Sequence, residues 1–93
     1  MNNFTNNYIA RTELLGISDT DVASRLNMSA VSTRSYRTGA RLPSCRGLDL
    51  LAQALNTQAW VMLHPQAKEI WKKEQQKKEL SVSHRKSDTP GSN

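Results

Sequence analysis

Cysteine occurs once in these 93 residues, at Cys45, so no disulfide can close within the chain and packing must hold the fold. A lone thiol suits a reducing compartment, and a cytoplasmic location is expected. No signal-peptide pattern and no apolar run near 18 residues is present, so neither export nor a membrane span is expected. Alternating β-branched stretches between hairpin turns are missing too, and the chain is expected to be all-α. Hydrophobic residues make up only 37%, which is low for a wholly globular chain, so part of the sequence is expected to lie outside the core. There is no glycine-rich phosphate loop, no nucleophile elbow and no carboxylate pair in an apolar setting. His64 and His84 have no metal-ligand spacing to each other or to Cys45. No enzymatic activity, metal, cofactor or small-molecule ligand is expected.

The most informative absence is of acid. From Arg25 to Arg46 there are five arginines and no Asp or Glu, so this window alone matches the chain's net charge of +5. Focal positive charge of this kind points to a polyanion as partner.

What is present reads as a series of short helices. The first is expected over Asn6 to Leu15, capped by Thr5 or Asn6 and stopped at Gly16, with Phe4, Tyr8, Ile9 and Leu15 as its apolar positions. Ser18 and Asp21 resemble a capping box that opens a second helix, with Val22, Ala23 and Leu26 inward and Asn27 as the stop. Asp19 and Asp21 are expected to serve as caps. Ser29 caps a third helix to about Arg37, ended by Gly39, and Ser44 caps a fourth to about Leu55 with Leu48, Leu51 and Leu55 on one face. Gly47 weakens that fourth helix slightly. Residues 57–65 are expected to form a fifth helix that closes the core through Trp60, Val61 and Leu63. A charged helical extension is expected over 65–80, and a disordered tail over 81–93.

Two short helices joined by a tight turn, the second basic and rich in serine, meet the requirements of a helix-turn-helix. Ala23 is small where the helices cross, Asn27 tolerates a positive φ, and Met28 plugs the gap between them. Ser29, Ala30 and Ser32 keep the start of the second helix low enough to approach a groove floor. The stretch "DVASRLNMSAVSTRSYRTGARLPSCRGLDLLAQAL" resembles the lambda-repressor/Cro-type (XRE) helix-turn-helix family, through Val22-Ala23, Leu26, Ser29, Tyr36, Gly39, Arg41, Pro43 and the leucines from 48 to 55. The resemblance covers roughly residues 5–63 and implies a compact five-helix DNA-binding domain over residues 1–64. Three residues depart from the family pattern. Asn27 stands in place of Gly, and Arg37 in place of an acid. Thr33 stands in place of a buried Ile or Val, so Val31 is expected to take over that packing with a slight rotation of the helix.

The resemblance further implies a sequence-specific transcriptional regulator, a dimeric repressor of phage, plasmid or mobile-element type acting on an inverted-repeat operator in double-stranded DNA. Ser29, Ala30, Val31, Ser32, Arg34 and Ser35 would face bases, with Arg34 paired to guanine. Thr20, Arg37, Arg41, Ser44 and Arg46 would hold phosphates. Trp60, Ile70 and Trp71 would serve dimerisation. The alternatives are an antitoxin of a toxin–antitoxin pair and a protein- or RNA-interaction module.

Overall fold

Local signals alone place most of the helix ends in the computed structural model, which describes residues 2–76; the expected tail at 81–93 and the end of the charged helix lie outside the described residues. Six helices are present among them and no strand: α1 (Asn3–Leu15), α2 (Asp19–Leu26), α3 (Ala30–Thr38), α4 (Cys45–Ala54), the single turn α5 (Ala59–Met62) and α6 over residues 67–76. Three serines act as N-caps. Ser18 forms a reciprocal capping box with Asp21, Ser29 accepts from the Ser32 amide, and Ser44 accepts from the Gly47 amide. A Cβ added at Gly47 would sit 3.3 Å from the Ser44 hydroxyl oxygen, so the helix-weakening glycine leaves room for the cap. The C-termini of α1, α2 and α3 stop at Gly16, Asn27 and Gly39, all in the left-handed conformation.

The first helix departs from expectation. It starts at Asn3, three residues early, because Asn2 caps it through the Thr5 amide at 2.8 Å. Its buried face is Phe4, Thr5, Asn7, Tyr8, Arg11 and Thr12, a regular helical stripe of which four members are polar. Each of three polar side chains has specific work. Asn7 donates to the carbonyls of Met62 (2.9 Å) and His64 (2.8 Å), satisfying the end of α5. Arg11 donates to the carbonyls of Leu55 (2.9 Å) and Asn56 (2.8 Å) at the end of α4, while its guanidinium lies over the Trp71 ring. Thr12 returns its hydroxyl to its own helix and receives Arg37 from α3. Arg25 caps a third carbonyl of the same α4 terminus, Ala54, at 2.8 Å.

The core gathers Phe4, Tyr8, Val22, Tyr36, Leu51, Leu55, Val61 and Met62, with the rings of Phe4, Tyr8 and Tyr36 in mutual contact. Two expectations for the C-terminal part are corrected. Trp60 and Leu63 do not close the core: they are 57% and 51% exposed, and Val61 and Met62 fill that role because the single turn of α5 aims only those two inward. The charged helix is no mere extension. Ala67 and Trp71 are buried against the rest of the chain, with the Trp71 indole donating to Thr57 at 2.8 Å.

Arg11→Met retains the apolar stem above Trp71 but strands two carbonyls, so a loss of about 2 kcal/mol is expected. Urea denaturation measures it, and an unchanged midpoint would mean that the α4 terminus is satisfied without Arg11.

Candidate nucleic-acid interface

The placement of α3 is fixed by one partly buried polar cluster. The Asp19 carboxylate, in the first turn of α2, accepts from the Tyr8 hydroxyl at 2.8 Å and from Arg37 Nε at 3.0 Å. The Arg37 guanidinium also donates to the Thr12 hydroxyl at 2.9 Å and lies over the Tyr8 ring. Thr33, fully buried, donates to the Asp19 carbonyl at 2.8 Å. Helices α1, α2 and α3 thus meet at a single carboxylate. Burial would raise the Asp19 pKa, but the hydrogen bonds from Arg37 and Tyr8 outweigh it and hold the carboxyl below its ordinary value. Arg37 is correspondingly pushed up by Asp19.

Since the folded pKa of Asp19 lies below its unfolded value near 4, the unfolded chain binds the proton first. The stabilisation is therefore complete above the ordinary carboxylate range and is lost as pH falls through about 4 and below. Asp21, held low by the Ser18 amide and hydroxyl, shifts in the same direction. Urea midpoints are expected to be level from pH 7 to about 5 and to fall by pH 3. A profile that stays level to pH 3 would contradict this.

Several expected roles change in consequence. Arg37 is not free for a phosphate, because its guanidinium is held by Asp19 and Thr12. Asp19 is not a cap, although Asp21 is. Val31 does not replace Thr33 in the core: it is 68% exposed, and Thr33 stays buried because its hydroxyl finds a carbonyl on α2. The helix has no need to rotate. Trp71 is buried within its own chain and is not available for dimerisation, Ile70 is half-buried, and Trp60 is exposed.

The outward face of α3 carries Val31, Arg34 and Thr38, all exposed. Ser29 is exposed and caps the helix, with its hydroxyl 3.2 Å from that of half-buried Ser32. Ser35 bonds the Val31 carbonyl at 2.9 Å, and Ala30 is half-buried at the start of the helix. These four are therefore short spacers on a surface where only Arg34 extends far. Beyond Gly39, the Arg41 amide bonds back to the Ser35 carbonyl, which ties the following loop to α3. Arg41, Ser44 and Arg46 are exposed along that loop and the first turn of α4, and Thr20 is exposed in the first turn of α2. Among the described residues Arg37–Asp19 is the sole ion pair, and Arg34, Arg41 and Arg46 belong to none.

No known protein family, curated protein or solved structure matches the chain. The site is therefore judged on its own geometry. Sequence reasoning missed the polar roles of Tyr8 and Thr12 and the inward role of Asp19, which orient α3 from within the fold. The signal available was a single acid one residue beyond a capping serine, with a second acid already in the box position.

No group of three or more potential metal ligands occurs among the described residues. No helix among them is long and apolar enough to cross a membrane.

Proposed function

We propose that the chain is a sequence-specific DNA-binding transcriptional regulator, a dimeric repressor that sets α3 into the major groove of an inverted-repeat operator. One observation carries the reading. The arginines of the basic window divide: Arg25 and Arg37 are consumed within the fold, whereas Arg34, Arg41 and Arg46 stand exposed, with no ion-pair partner among the described residues, on α3, its following loop and the start of α4. In this reading α2, the three-residue turn and α3 form the helix-turn-helix of a five-helix lambda-repressor-like domain. Buried Ala23 at the helix contact and left-handed Asn27 support it.

Arg34 pairs with guanine O6 and N7, and Val31 meets a thymine methyl. Arg41, Arg46, Ser44, Thr20 and the free amides of the first turn of α4 hold phosphates. Two such helices, about 34 Å apart on successive major grooves, block polymerase sterically.

The test is selection of bound fragments from the source genome, followed by footprinting of the best fragment over a range of salt. A protected inverted repeat with half-sites about one helical turn apart is expected. With Arg41 and Arg46 of two copies on phosphates, the slope of log affinity against log salt should be about −4; it would approach −7 if Arg25 and Arg37 joined them. Uniform protection without a site would overturn the reading.

A further inference from the structure

Helix α3 offers a duplex a restricted set of side chains. Its nine residues include no Asn, Gln, Asp or Glu, so it carries no amide to pair with adenine and no carboxylate to accept from the cytosine amino group. The hydroxyls are largely engaged within the helix. Ser35 donates to the Val31 carbonyl at 2.9 Å and Thr38 to the Ser35 carbonyl at 3.2 Å, while the Ser29 and Ser32 hydroxyls bond each other at 3.2 Å. Two outward side chains remain. Arg34 has no hydrogen-bond or ion-pair partner among the described residues. Val31 is 68% exposed, more than any other large hydrophobic side chain among them. Neither packing nor helix propensity accounts for it, since the side chain lies outside the core and β-branched residues are weaker helix formers than most. The two residues lie one turn apart on the same face, about 4.5 Å along the helix axis, which matches one to two base-pair steps.

Resting on the operator reading above, we propose that α3 reads a pyrimidine C5-methyl group close to the guanine held by Arg34, and so accepts 5-methylcytosine as well as thymine there. Both bases carry the same methyl at the same place in the major groove. They differ at position 4, an acceptor in thymine and an amino donor in cytosine, with the converse exchange on the paired purine. Telling them apart takes a polar side chain over that pair, and Val31 is not one. What Val31 can sense is apolar surface. The methyl packs against its two γ-carbons, which the stiff χ1 of a β-branched residue holds in place. Without the methyl, that surface stays in water. A cytosine at this position is therefore bound weakly until it is methylated, and cytosine methylation raises affinity for such an operator instead of blocking it.

The experiment measures binding of the full chain to the footprinted operator with single base pairs altered in both half-sites. The guanine whose replacement the Arg34→Ala protein no longer senses fixes the register. At each base pair within two steps of it, the pyrimidine is set in turn to thymine, uracil, 5-methylcytosine and cytosine. One buried methyl is worth about fourfold per half-site, or about sixteenfold across two. At one position, thymine over uracil and 5-methylcytosine over cytosine should each be favoured by that factor. In the Val31→Ala protein, with folding established by circular dichroism, both ratios should fall to about twofold or less. No position showing both ratios would overturn the inference. So would thymine favoured over uracil with 5-methylcytosine no better than cytosine, because α3 would then read thymine itself. Ratios undiminished in the Val31→Ala protein would also overturn it, since the methyl would then act through the shape of the duplex. An operator whose affinity ignores methyl groups sinks this inference alone, whereas the absence of any protected operator sinks the proposed function with it.

Discussion

Replacing Arg34 by alanine is expected to abolish the preference for operator over other duplexes while leaving the fold intact. The side chain is exposed, has no hydrogen-bond or ion-pair partner among the described residues, and lies on the same outward face of α3 as Val31 and Thr38. Its removal should change stability by less than about 0.5 kcal/mol. The loss should instead appear in discrimination, at about 1–3 kcal/mol per half-site, or roughly tenfold to a hundredfold. Competition between the operator and a version with its contacted guanines replaced gives the measurement. The unsubstituted protein distinguishes the two; the Arg34→Ala protein binds them alike. Arg41→Ala provides the contrast, because removing a phosphate anchor should weaken both duplexes equally and flatten the salt dependence. Undiminished discrimination by the Arg34→Ala protein would remove Arg34 from the base-reading role.

The largest effect on stability is expected at Asp19. Alanine there leaves Arg37 without its acid and the buried Tyr8 hydroxyl without its acceptor. Removing one partner of a buried pair costs about 3–5 kcal/mol, and the partial exposure of Arg37 puts the value at the low end, near 3. In a domain of this size that is a fall of roughly 15 °C in Tm. Replacing both members, as Asp19→Leu with Arg37→Met, should recover a large part of the loss, since neither an orphan charge nor its desolvation remains. A double-mutant cycle in urea reads the coupling directly. A coupling below about 0.5 kcal/mol would show that the pair is incidental. The Asp19→Ala protein should also lose much of its fall in stability below pH 4, because the titrating group is gone.

The parts of this structure that are legible in the sequence are those governed by neighbours. Ser18, Ser29 and Ser44 start helices, and Gly16, Asn27 and Gly39 stop them, because a cap needs only the next three or four residues. The leucine face of α4 and the inward placement of Val22, Ala23 and Tyr36 are readable for the same reason. What is not legible depends on residues far along the chain. Arg11 reads as a surface charge until α4 is seen to end beneath it, and Trp71 reads as an exposed aromatic until Arg11 and Thr57 are brought to it. The start of α1 escapes the pattern because its inward stripe is largely polar, and an apolar count passes over Thr5, Asn7 and Thr12. At the site, exposure of Arg34, Arg41 and Arg46 follows the pattern of the sequence. The loss of Arg37 from that set does not, since its acid lies 18 positions earlier in the chain.

The bonds from Asn7 to Met62 and His64 span 55 and 57 residues, and those from Arg11 to the end of α4 span 44 and 45. Helix α1, which precedes the other described helices in the chain, is therefore completed only once residues as far as His64 have been added. At about 5–20 residues per second, Asn7 waits roughly 3–11 s before its acceptors have been polymerised. By the end of that interval α2 and α3, which bring Val22 and Tyr36 to Phe4 and Tyr8, have been made, while α6 has not.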